Sequence, residues 1–227
     1  NTTKKPKDDD YLEKIFSSEL LKGSILEISK KKSESGFFNL KTDFEYSSPI
    51  KLPKIINGDN HNASIQISND GQKLYFYRDS DVWTTIKDGS DWTEPHKLTN
   101  FNTESFEPSV YITLDEKKMY ITSEKEGGFG KLDIYVSVKD SNGNWSVMQN
   151  LGPKINTLGD EDISYVSPDN QTIYFSSKGH SSMGGYDIFK SIKKNGEWSS
   201  PINMGSPVNT PYDDAFFIMT PKYNRGY

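Results

Sequence analysis

The chain has 227 residues, of which 33% are apolar and 13% aromatic, and it contains no cysteine. Lys plus Arg is 27 and Asp plus Glu is 32, so the formal net charge is 27 − 32 = −5. These values exclude disulfides, thiol nucleophiles and Cys-ligated zinc, give nucleic acid no basic footing, and suit many short half-buried strands better than a Leu-rich helical bundle.

In chain order, residues 1–10 are charged and contain Pro6, the composition of a flexible segment. Apolar residues in 11–21 are spaced for a short helix, with a degenerate blade strand as the competing reading, so 1–24 is set apart from the remainder of the chain. A chain that starts at Asn1, with neither Met nor an apolar leader, reads as a mature or excised fragment. Apolar runs are strand-sized throughout, as at 215–219, so no membrane span is expected.

From Ile25 a repeat sets in. Tyr46, Pro49, Leu52 and Asn57 recur as Trp92, Pro95, Leu98 and Asn102, then as Trp145, Met148, Leu151 and Asn156, then as Trp198, Pro201, Met204 and Asn209. Asp81-Val82-Trp83, Asp133-Ile134-Tyr135 and Asp187-Ile188-Phe189 stand 133 − 81 = 52 and 187 − 133 = 54 residues apart. Asp70-Gly71, Asp115-Glu116 and Asp169-Asn170 mark hairpin turns ahead of Leu74-Tyr75-Phe76, Met119-Tyr120-Ile121 and Ile173-Tyr174-Phe175. The same register places Tyr227 on the next tyrosine.

In the first full unit, strands are predicted at 63–68, 73–77, 81–86 and 92–98, and four short strands per unit make a propeller blade. The fold expected is all-β: a β-propeller of four-stranded antiparallel blades over 25–227, with three complete blades at about 58–103, 104–157 and 158–210. Partial blades are expected at 25–57 and 211–227. The repeat is near kelch length because of glycine-rich loops such as Gly127-Gly128-Phe129-Gly130, which the first blade replaces with Arg78-Asp79-Ser80.

The Asp heading each third strand recurs by blade, whereas an active site needs one asymmetric cluster, so the expected role is structural: an acceptor for turn amides. Asn62, Glu107, Glu161 and Asp214 each stand five residues after a closing Asn and form a candidate channel rim, with local turn repair as the competing reading. His61, His96 and His180 fall at unrelated repeat positions, which argues against a zinc site and for solvated loop histidines. Asp140-Ser141-Asn142-Gly143-Asn144 opens like a calcium loop but carries Leu151 where a bidentate Glu is required. No catalytic residue, metal or cofactor is expected. The loops at 126–131 and 179–186 place Phe129, Lys131, His180, Met183 and Tyr186 as candidate partner-binding residues, since the first blade does without them. Tucking of the same apolar residues against the neighbouring blade is the alternative.

The string Tyr174-Phe175-Ser176-Ser177-Lys178-Gly179-His180, continuing through Met183-Gly184-Gly185-Tyr186-Asp187-Ile188-Phe189-Lys190, with Trp198-Ser199-Ser200-Pro201 and Asn203-Met204-Gly205, resembles a known family. It is similar to the TolB-type, WD-repeat-like propeller of OmpA-related outer-membrane proteins, over about residues 44–227, and most of all to PorE-type components of type IX secretion. The resemblance implies a periplasmic, outer-membrane-associated scaffold without catalysis. Its partners would be other envelope proteins of a secretion or gliding assembly, with peptidoglycan reached only through a separate OmpA-like domain. A carbohydrate-binding or glycoside-hydrolysing propeller is the alternative.

Overall fold

The computed structural model describes residues 28–30, 44–46, 52–57, 62–68, 70–79, 81–98 and 105–219; the expected flexible and helical segments before Ile25 and the Tyr227 landmark lie outside them. Strands β1 (Ile28–Lys30) and β2 (Phe44–Tyr46) form an antiparallel pair. The first large sheet holds β3 (Asn62–Ile67), β4 (Lys73–Arg78), β5 (Asp81–Asp88), β6 (Asp91–Trp92) and β7 (His96–Lys97). The second holds β8 (Ser109–Ile112), β9 (Lys118–Ser123), β10 (Asp133–Val138) and β11 (Gln149–Asn150). The third holds β12 (Glu161–Val166), β13 (Thr172–Ser177), β14 (Asp187–Lys194), β15 (Glu197–Trp198) and β16 (Ile202–Asn203).

Neighbours in each sheet follow chain order, the pairings are antiparallel, and the described residues include no helix. Such four-step meanders are propeller blades, and the chain is an all-β propeller in class. Two compact units divide it, Asn1–Arg78 with Trp83–His96, and Asp79–Val82 with Lys97–Tyr227. Among the described residues no helix is long and apolar enough to cross a membrane.

The sequence places these strands by alternating two kinds of segment. The second strand of each blade is apolar at successive positions, and Leu74-Tyr75-Phe76, Met119-Tyr120-Ile121 and Ile173-Tyr174-Phe175 are all buried, as befits a strand covered on both faces. Each first hairpin is closed by a residue with positive φ, Gly71 at 71°, Glu116 at 52° and Asn170 at 57°. An Asp tightens each of these turns: Asp70, Asp115 and Asp169 accept from the hydroxyl of Ser68, Thr113 or Ser167 and from the amide of Gln72, Lys117 or Gln171.

The fourth strand departs from expectation. Predicted as one run at 92–98, it is two short pieces, β6 and β7, both paired to β5, and the third blade repeats this with β15 and β16 on β14. Pro95 and Pro201 fall in the gaps, where a residue without an N–H cannot continue a ladder. Side chains bridge each gap: Thr85 donates to the Thr93 carbonyl at 2.7 Å and Ser191 to the Ser199 carbonyl at 2.8 Å. In the second blade Ser137 does the same to Ser146 at 2.6 Å.

In the second unit, Tyr120 and Ile134 of the second blade pack with Ile163, Phe175, Phe189 and Trp198 of the third, around Ile155 from the connection between them. Burying each such side chain contributes about 1.5–3 kcal/mol, so this layer dominates the cohesion of the two blades. Trp145 and Trp198 are buried with Lys139 and Lys193 over their rings at 4.5 and 5.2 Å, whereas Trp92 is only partly buried, against Leu52, Ile56, Leu74 and Phe76.

Candidate functional site

Asp133 and Asp187 anchor the glycine loops of the second unit. The Phe129 and Gly130 amides donate to the Asp133 carboxylate at 2.6 and 3.1 Å, and the Asn150 side-chain amide adds a third bond at 2.9 Å. Asp187 accepts from Met183 and Gly184 amides and from Asn203 at 2.8 Å in the same pattern. Both carboxylates are buried, and two successive backbone N–H groups form the small anion nest that makes burial tolerable. The closing asparagines extend the lattice: Asn156 exchanges bonds with both backbone groups of Ile134 and donates to Asn150, and Asn209 does likewise with Ile188 and Asn203.

The first blade lacks the glycine loop and solves the same problem with charge. Lys97, at the repeat position of Asn150 and Asn203, lies 2.7 Å from Asp81, whose side chain is 20% exposed. The structural role expected of the repeated Asp is therefore realised in two forms.

The loops also touch the connections that lead out of their blades. A Cβ placed on Gly130 would sit 2.0 Å from the Gly159 carbonyl oxygen, and one on Gly184 would sit 2.1 Å from that of Tyr212. Backbone thus meets backbone where each glycine loop abuts the connection leading into the next repeat, a proximity only glycine permits. From these fixed loops Phe129 and Met183 point outward, 43% and 53% exposed. Lys131 is exposed and pairs with Glu124 at 3.2 Å.

Tyr186 is partly buried, its hydroxyl bonded to Asp160 and its ring 4.3 Å below the Lys178 ammonium. Burial, followed by the negative field of Asp160, Asp162 and Asp213, holds its pKa well above the ordinary tyrosine value. His180 is not the solvated loop residue expected: its Nε2–H donates to the Ile155 carbonyl at 2.9 Å, and its ring packs against Phe189 and Phe175 at 5.2 and 5.9 Å.

The carboxylates proposed for a rim are held locally. Glu161 is fully buried and accepts from the Thr157 amide and hydroxyl and from Ser177. Asp214, partly buried, accepts from the amide and hydroxyl of Thr210, and buried Glu107 accepts from Ser123 at 3.1 Å. Asn62 begins β3 in the first unit, so the second unit brings together Glu107, Glu161 and Asp214 only as repeat equivalents. Among the described residues no group of three or more His, Asp or Glu side chains is arranged to hold a metal.

Three residues escaped the sequence reading. Leu158 and Tyr212 are 90% and 79% exposed on the connections that receive the glycine loops. The signal available was an apolar residue in a Gly- and Asp-rich connector, which is weak on its own. Asp162 sits between the two blades, accepting from Thr122 at 2.8 Å and from Ser109, and burial raises its pKa despite those bonds.

No family model matches the chain, and no curated protein matches it. Among solved structures, a protein assigned as TolB from Agrobacterium tumefaciens is similar over 74% of this chain and 58% of its own, with 14% identity and a TM-score of 0.46. A puromycin-hydrolyzing peptidase of Mycobacterium tuberculosis is similar over 70% of this chain and 24% of its own, with 13% identity and a TM-score of 0.45. A protein of Bacteroides fragilis assigned as a 6-phosphogluconolactonase is similar over 73% of this chain and 43% of its own, with 13% identity and a TM-score of 0.40. This chain therefore spans less than two thirds of each. The expectation of a chain without catalysis does not stand: two of the three are named for enzymes, so blade repetition gives no ground for excluding a reaction, and a fold by itself decides neither way.

Proposed function

We propose that the glycine-loop face of this propeller docks other proteins of a bacterial cell envelope, in the periplasm, as part of a secretion or gliding assembly. The observation that carries the reading is the division of labour in the loops: backbone amides fixed on buried Asp133 and Asp187, with Phe129 and Met183 held in solvent by that fixed backbone. A rigid loop presenting an apolar side chain loses little conformational entropy on binding, which is what a docking surface requires. The envelope location and the kind of assembly rest on the likeness of 174–205 to OmpA-related propellers.

Because the loops also contact the next connection, deleting them would unsettle the fold, so the test leaves the backbone alone. A photo-crosslinking amino acid is placed at Phe129, at Met183 or at Val147, which is 72% exposed on the β10–β11 connection. Irradiation of intact envelopes is expected to give the same discrete adduct from both loop positions and none from Val147. Equal adducts from all three positions, or none from the loops, would refute the docking face.

A further inference from the structure

A lysine over a tryptophan recurs in the second and third blades, but the charge beside it does not. In the second blade Lys139 is cross-strand from Trp145 with its ammonium 4.5 Å from the ring, and the Glu116 carboxylate lies 3.6 Å from that ammonium. In the third blade Lys193 is cross-strand from Trp198, at 5.2 Å. The backbone around the two lysines is the same: the Lys139 amide donates to the Lys117 carbonyl at 2.9 Å, and the Lys193 amide to the Gln171 carbonyl at 2.7 Å. Each of those carbonyls belongs to the residue after the positive-φ position that closes the first hairpin. That position holds Glu116 in one blade and Asn170 in the other, so the third blade keeps the cation and lacks the carboxylate.

A second cation widens the difference. Lys118 stands two residues before Tyr120 on β9, and Lys193 four after Phe189 on β14, so both follow the strand faces that meet between the second and third blades. Burial, and then the charge of Lys118, holds the Lys193 ammonium below the ordinary lysine pKa. Among the described residues neither lysine makes an ion pair. The carboxylates of the surrounding turns are engaged elsewhere. Asp115 accepts from the Thr113 hydroxyl at 2.6 Å and from the Lys117 amide and the Asn170 side chain at 3.1 Å each. Asp169 accepts from Ser167 and Gln171, and Glu197 pairs with Lys154 at 3.0 Å. Asn170 offers Lys193 nothing in exchange: its amide nitrogen turns to Asp115, and its Oδ1 is buried with no hydrogen-bond partner.

We propose that the seam between the second and third blades binds a carboxylate-bearing ligand, held between Lys118 and Lys193 in the way Glu116 is held by Lys139. The second blade displays the chemistry within the same chain: a carboxylate against an ammonium that rests on an indole ring. Two ammoniums at a partly buried seam repel one another, and an incoming anion relieves that repulsion as well as pairing with each. Lys193 is six residues along β14 from Asp187, about 20 Å from the glycine loop, so this site is separate from the docking face and stands without it.

The test follows the lysine side-chain Cε–Hε resonances of the full chain by NMR at about 0.01 M salt, where the Debye length is about 30 Å. The probes are glutarate, inorganic phosphate and an end-blocked peptide with two glutamates between glycines. Both carboxylate probes are expected to shift Lys118 and Lys193 together while Lys139, already paired, stays still. Tighter binding of the peptide than of glutarate assigns an acidic polypeptide segment as the ligand, and equal binding assigns a small carboxylate. Asn170→Glu puts the missing carboxylate beside Lys193 at a backbone angle that Glu116 already adopts, and is expected to abolish the response. Lys193→Gln is expected to weaken binding by about threefold to fivefold, as loss of one exposed pair does. Melting of both variants at or above the parent's temperature assigns these losses to the site; if Asn170→Glu melts early, Lys193→Gln alone decides. Carboxylate binding at parent strength in the deciding variants, equal movement of Lys139, no response of Lys118 and Lys193, or a stronger response to phosphate than to either carboxylate would overturn the proposal.

Discussion

Asp133 and Asp187 each collect two backbone amides and one asparagine side chain, while Asp81 is held by a lysine at the surface, so one repeat position carries two very different energies. Asp187→Ala strands the Met183 and Gly184 amides and the Asn203 side chain in a buried site, and is expected to cost about 3 kcal/mol or more. Asp81→Ala removes a partly exposed ion pair and is expected to cost about 1 kcal/mol or less. Urea unfolding of the two variants checks the contrast, and equal losses would refute it. Asp162 gives a pH signature. Burial raises its folded-state pKa above the ordinary 3.8, so the folded protein holds the proton more tightly than the unfolded chain. Its contribution to stability is full below about pH 3.8 and is lost as pH rises through the folded-state value. Asp162→Asn removes that loss, so the variant's stability relative to the parent is expected to increase from about pH 4 towards neutrality. A difference that stays constant with pH would show that the carboxyl is solvated.

Among elements, the glycine loops and the split fourth strands separate what the sequence discloses from what only packing reveals. The Asp, Asn and Trp landmarks were readable because each does one fixed job: the Asp caps a loop, the Asn ties the third strand, and the Trp lies under a lysine or against the blade core. Pro95 and Pro201 were visible too and stand in the breaks of the fourth strand, but the second blade breaks at the same place with Met148 there, so the break belongs to the repeat and not to proline; the hydroxyl bridges of Thr85 and Ser191 across it involve partners eight residues away. The contacts of Gly130 and Gly184 were not readable, because they depend on a neighbouring repeat's backbone and not on local pattern. The same holds for His180, whose imidazole is claimed by Phe175, Phe189 and Ile155. Gly184→Ala forces a Cβ onto the Tyr212 carbonyl oxygen and is expected to destabilise by about 1–3 kcal/mol. Gly196→Ala, in the β14–β15 hairpin at φ 87°, has open space around its Cβ and is expected to cost about 1 kcal/mol from backbone strain alone. Thermal melts of both variants measure the difference between crowding and strain.

In the molecule as a whole, repetition supplies rigidity at the loops as well as in the strands. In an ordinary meander the connections are the first parts to open, and their amides exchange with solvent almost freely. Here the repeat lattice places loop amides on buried carboxylates, so Phe129 and Met183 stand on backbone tied by hydrogen bonds as a strand's is. Native-state amide hydrogen exchange measures this directly. The amides of Phe129, Gly130, Met183 and Gly184 are expected to be protected to the same degree as those of β10 and β14, and to lose that protection in the matching blade when Asp133 or Asp187 is replaced by Ala. Exchange of these four amides at the rate of an open loop, with β10 and β14 still protected, would contradict a rigid docking face.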